Sequence, residues 1–152
     1  MTETLQSDRS WGRGIIIGLV IAIITAAMMM IMMKAGALPL PKPLGLAFAE
    51  RIVGHALPMP VGVLFHAAYV TFWSVVFVRF FPRRDIVTAL LLAVVLWLGV
   101  LVVFFPLVGW GFAGSAISPK LIPASFMPHL LFGLLLWALH KYARRKEVQT
   151  GE

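Results

Sequence analysis

From Gly14 to Met33 the chain carries no charged residue. A helix needs about 20 apolar residues to cross a hydrocarbon core of about 30 Å, and this run is long enough. Three further runs qualify: Pro60 to Val78, where Arg79 marks an interface, Ile86 to Val108, and Ala124 to His140. Lipid offers no partner to backbone N–H and C=O groups, so runs of this length are expected to be helical. A closed barrel would show short alternating segments instead. Composition agrees, because 61% of residues are hydrophobic and 12% charged, against roughly 25% charged in a soluble domain. The sequence therefore reads as all-α, an integral membrane four-helix bundle forming one domain over residues 1–152. The first run is too long and too evenly apolar for a cleaved signal peptide, and no small-residue cleavage site follows it. The absence of cysteine removes disulfides, thiolate metal sites and cysteine nucleophiles.

Short cytoplasmic segments are enriched in Lys and Arg. One set of ends carries Arg9, Arg13, Arg79, Arg83 and Arg84, and the tail from Lys141 to residue 152 adds Arg144, Arg145 and Lys146. The opposite ends hold only Lys34, Lys42, Arg51 and Lys120. Both termini are thus expected on the cytoplasmic side of a bacterial inner membrane. The same distribution accounts for the net charge of +7 without nucleic acid, since the basic residues sit beside helix ends. The tail cluster is also suited to anionic lipid head groups.

Small residues recur along the first run at Gly14, Gly18, Ala22 and Ala26. In lipid, where helices have no hydrophobic drive to associate, such a stripe permits close backbone packing against a neighbour. That neighbour is expected to be another span or a second membrane subunit. The segment from Lys34 to Met59 is too long for a turn. After a proline-rich stretch, residues 44–57 are expected to form a short interfacial helix, with Leu44, Phe48, Ile52 and Val53 on one side and Glu50, Arg51 and His55 elsewhere. Glu50 is the one acidic residue expected on the external face. In the second external segment, Trp110 and Phe112 suit the interface and the glycines permit tight turns.

A repeat joins the second and fourth spans. Pro60 is followed six residues later by His66, and Pro123 likewise by His129. Tyr69 and Phe132 come three residues after the histidines, and Trp73 and Trp137 lie further along. The pattern points to a tandem duplication of a two-helix unit. Both helices run the same way, so the histidines should lie level, about 9 Å along from each proline at ~1.5 Å per residue. Ionisable groups at that depth are functional candidates. Four readings stay open: axial ligation of a b-type haem by His66 and His129, lined by Tyr69, Phe132, Trp73 and Trp137; copper held by His66, His129, Met59 and Met127; a proton or quinone pathway; or hydrogen bonds that only fasten helices together.

The stretches Ala26 to Gly54, Pro106 to Phe112 and Pro128 to Gly133 resemble a group of four-helix bacterial membrane proteins that has no assigned activity. The resemblance implies the four-span architecture and transfers no catalytic residue. No paired acids, HExxH or Gly-x-Ser-x-Gly motif occurs, so an enzyme is not expected. The leading expectation is a non-catalytic accessory or assembly subunit of a larger membrane complex, redox complexes included, with lipid and other subunits or itself as partners. A haem or copper redox protein and a small oligomeric transporter or channel are the alternatives.

Overall fold

The computed structural model describes Thr2 to Thr150, and among these residues the fold is wholly helical. The helices are α1 (Thr2–Lys34), α2 (Leu44–Val53), α3 (Met59–Phe80), α4 (Ile86–Leu107) and α5 (Leu121–Thr150). Four of them, all except α2, are long and apolar enough to cross a membrane. A short 3₁₀ turn at Phe112–Gly114 lies in the α4–α5 connection.

The sequence explains where each helix starts and stops. α1 closes on Gly36 at φ 70°, with the Gly36 N–H bonded to the Met33 carbonyl and the Ala37 N–H to the Met32 carbonyl. This paired closure is favoured by a residue with no Cβ. Pro43 precedes α2 and Gly54, at φ 84°, ends it. α3 opens on Pro58 and Pro60, whose missing N–H groups cost nothing in a first turn, and stops at an extended Phe81 before Pro82. Asp85 caps α4, accepting both the N–H and the hydroxyl of Thr88 at 2.8 Å. α5 continues past the apolar run through the basic segment to Thr150.

Within α4, Val100–Phe104 widens into a π-helical turn, and the Phe105 N–H reaches the Val100 carbonyl. Pro106 is the cause. It has no N–H for the Val102 carbonyl and its ring crowds that oxygen, so the preceding turn expands to accommodate it.

The extensive pairings are α1 with α3, α4 with α5, α2 with α3, and α1 with α5. Small residues set the first two. A Cβ on Gly18 would lie 2.5 Å from the Thr71 Cα, and one on Gly14 2.9 Å from the Val75 Cα. The stripe is therefore spent inside the chain, on α3, with Ala22 also buried and Ala26 half-buried. On the other side Gly133 meets Ala93 and the Ala89 carbonyl in the same manner. Two apolar clusters result: one around Ile21, Phe77, Leu92 and Leu136, the other around Leu101, Phe105, Trp110 and Leu121 near the loop end.

Two local expectations change. The inward face of α2 is Leu46, Ala47 and Ala49, while Ile52 and Val53 are exposed, because α2 lies on α3 where Gly45 and the backbone of Leu46 meet Gly62. Trp110 does not face outward. It is buried against Phe105 at 5.5 Å, and Phe112 is the exposed aromatic of that loop.

If the α1–α3 contact governs the fold, Gly18→Ala should lower stability in detergent by about 1–3 kcal/mol, the usual cost of overpacking. Gly12→Ala, where a Cβ meets nothing within 4 Å, should be neutral or slightly stabilising through helix propensity. Thermal unfolding of the two variants side by side checks this.

Candidate functional site

The close contact at Gly18 places α1 and α3 antiparallel in one register: Gly14 opposes Val75 and Gly18 opposes Thr71. Continued toward the loop end, that register sets Thr25 against His66, and the Thr25 hydroxyl lies 3.0 Å from His66 Nε2. Thr25 has a single hydroxyl proton and also sits 2.8 Å from the Ile21 carbonyl. A carbonyl can only accept, so the proton goes to Ile21 and the hydroxyl oxygen accepts from His66 Nε2–H. His66 Nδ1 is then the unprotonated nitrogen of the neutral ring.

On α5 the arrangement is different. Pro128 has no N–H for the Ala124 carbonyl, and in this loosened turn the His129 ring reaches back to the Ser125 carbonyl, with Nδ1 at 2.8 Å. That nitrogen must carry the proton, so in neutral His129 Nε2 bears the lone pair. Ser125 itself is buried and accepts from the Trp97 indole N–H at 3.1 Å, which ties the His129 turn to α4.

Both histidines line one cavity of about 400 Å³ between the two apolar clusters. All five helices contribute. Thr25 and Met29 come from α1, Gly45 and Phe48 from α2, Tyr69 and Phe72 from α3, Leu96, Val100 and Phe104 from α4, and Phe132 from α5. The widened turn of α4 supplies Val100 and Phe104. Aromatic rings form a continuous wall, with Phe48 5.2 Å from Phe104, Phe104 5.7 Å from Tyr69, and Phe48 6.1 Å from Phe65. Phe72 is 59% exposed at the rim, so the cavity opens sideways, toward the surface that lipid would occupy.

α2 covers the loop end of this cavity. Gly45 and Gly62 allow it to lie directly on α3: a Cβ on Gly45 would fall 2.7 Å from the Gly62 carbonyl oxygen and 3.3 Å from the His66 backbone nitrogen. The cover is latched by Glu50, which takes the Lys42 ammonium at 2.6 Å and the Leu57 N–H at 3.2 Å. Glu50 thus joins the segments entering and leaving α2. Its hydrogen bond from Lys42, then that from Leu57, holds its carboxyl below the ordinary value of 4.5.

Of the residues singled out in the sequence, His66, His129, Tyr69 and Phe132 meet in the cavity. Trp73 and Trp137 do not; they pack against the first apolar cluster, and Trp137 carries Lys141 4.8 Å above its ring. Met59 and Met127 are 43% and 51% exposed and do not line the cavity. Thr25, Phe48 and Phe104 are the site residues that sequence reasoning missed. Thr25 lies two helical turns beyond Gly18 on the stripe's side, and Pro106 within an apolar run signals the distorted turn that delivers Phe104.

As folded, the residues do not fit a bis-histidine haem. His129 offers a free Nε2 backed by a carbonyl on Nδ1, as a metal-ligating imidazole does, but His66 Nε2 is committed to Thr25. Copper fits less well, since Met59 and Met127 lie elsewhere. What the cavity presents is an aromatic slot lined by two imidazoles, with Thr25 and Tyr69 the other polar side chains among the described residues that line it, a lining that complements an apolar ring bearing O–H or N–H groups. Comparison with protein families, with curated proteins and with solved structures finds no match to this chain.

Two outcomes follow. Thr25→Val should remove the His66 anchor at a cost of about 0.6 kcal/mol, and no more than about 2, in keeping with hydrogen bonds between membrane helices; nitrogen-15 spectra of labelled histidine should then show His66 losing its preference for the Nε2–H tautomer while His129 keeps Nδ1–H. The Glu50 latch has a depressed pKa, so its contribution is fully present above pH 4.5 and is lost as pH falls through the lower folded-state value. Proteolysis of the segment between α1 and α3 should accelerate in that acid range, and Glu50→Gln should show the fast rate at neutral pH.

Proposed function

We propose that the chain is a small four-span inner-membrane subunit that binds a lipophilic hydroxyl-bearing ring, of the hydroquinone class, between His66 and His129 as part of a larger membrane redox assembly. The observation that carries this reading is the shared cavity, which both imidazoles line beside an aromatic wall, His66 held by Thr25 and His129 by the Ser125 carbonyl. Hydroxyl groups on the ligand would match the unprotonated nitrogens, Nδ1 of His66 and Nε2 of His129. The sideways opening at Phe72 suits a ligand that arrives through the bilayer.

Among the described residues no carboxylate lines the cavity, which supports a binding role over hydrolysis. The concentration of Arg13, Arg79, Arg84 and Arg144 at one end supports a topology with both termini in the cytoplasm and the histidines in the outer leaflet. A four-helix bundle built by duplication of a two-helix unit is supported by the two glycine-mediated pairs, α1 with α3 and α4 with α5, each with a histidine six residues after a proline on its second helix.

Protein purified in mild detergent from native membranes should yield a stoichiometric quinone or related ring on solvent extraction and mass spectrometry. His129→Ala should reduce that yield by about tenfold or more, the order expected for a buried hydrogen bond of ~1.4 kcal/mol. Ligand-free protein with an unchanged melting temperature would sink the proposal, and a Soret band in the visible spectrum would replace it with haem ligated by His129.

A further inference from the structure

A second concavity, of about 580 Å³, opens at the opposite end of the molecule. Arg84 from the α3–α4 turn and Trp137, His140, Lys141, Arg144 and Arg145 from α5 line it. Among the described residues no carboxylate does so. Asp85, adjacent in sequence, is turned to its own helix, where it caps Thr88.

Three observations point to a missing anion. His140 is 2% exposed, yet neither of its ring nitrogens has a hydrogen-bond partner. Its ring is held edge-on by Phe77 at 6.2 Å, which fixes it at the floor of the concavity. Arg84 Nε is buried without a partner as well. Buried polar groups are ordinarily satisfied, and two unsatisfied side chains beside one basic hollow are an exception that asks for a ligand. Burial, and then the like charges of Arg144, Arg13 and Arg79, push the Arg84 pKa below its ordinary value, so the guanidinium lacks the negative partner that such a position favours.

We propose that this hollow is a phosphate-ester site, occupied by the head group of an anionic phospholipid. Forked guanidinium donors from Arg84 and Arg144 match the oxygens of a phosphate, and Lys141 adds a point charge. The depth selects the lipid as the source. The hollow lies where the apolar part of α5 gives way to its basic end, and Trp137 forms one wall with Lys141 above its ring, an amphipathic surface suited to the head-group level. The site is remote from the histidine cavity and does not depend on what that cavity holds.

The full-length protein, exchanged into detergent and examined by native mass spectrometry, tests the assignment. Titration with phosphatidylglycerol should give one or two retained lipids, with phosphatidylcholine retained about tenfold less. Arg84→Gln combined with Arg144→Gln should cut phosphatidylglycerol retention by about tenfold, whereas Arg83→Gln, an exposed arginine outside the hollow, should leave it unchanged. Arg84→Lys with Arg144→Lys keeps the charge and should restore part of the retention even if the glutamine pair folds poorly. Millimolar inorganic phosphate that displaces the lipid supports the phosphate site; phosphate that binds where the lipid does not overturns the lipid as its source. Equal retention of the two lipids, or equal retention by the Arg83 and Arg84/Arg144 variants, overturns the site.

Discussion

The contact between Gly18 and Thr71 governs more of this molecule than any other. With apolar side chains and apolar solvent alike, membrane helices gain little by merely touching, and association depends on how closely backbones approach. A glycine that would place a Cβ 2.5 Å from a neighbouring Cα leaves α1 and α3 one register in which to pack. That register carries Thr25 to His66, seven residues along one helix and five along the other. The first half of the candidate site is a consequence of packing in a different part of the interface.

The second half depends on proline. Pro128 withholds an N–H from the turn that presents His129, and Pro106 widens the turn that presents Val100 and Phe104. Each departure from regular helix would be costly against lipid, where freed backbone groups find no water. Here both distorted turns contribute side chains to the cavity, Val100 and Phe104 from one and His129 from the other, and the His129 ring reaches back to the Ser125 carbonyl.

Polar groups at the two ends serve separate tasks. At the loop end, Lys42, Glu50 and the Leu57 amide close on one another and hold α2 across the cavity. At the basic end, cations gather around His140 with no carboxylate among the described lining residues, the arrangement on which the anionic-lipid proposal rests. The first arrangement is complete in itself; the second invites a ligand.

Much of the architecture was legible in the residues alone, because lipid leaves a long apolar segment no choice but helix. The helix ends were legible for the same reason, as Pro, Gly and Asp residues act within one turn. The pairing of His66 with His129 could be anticipated from the repeated proline-to-histidine spacing, since a shared direction and equal distance give equal depth. Which other side chains join them could not. Trp73 and Trp137 follow the histidines in the same pattern yet lie outside the cavity, Trp137 on the wall of the basic hollow, while Phe48, expected on a surface helix, lines the cavity. Depth follows from counting along one helix; facing depends on how each helix is rotated against its neighbours. That rotation is decided by a few close contacts, Gly18 on Thr71, Gly45 on Gly62 and Gly133 on Ala93, which exist only once the chain has folded.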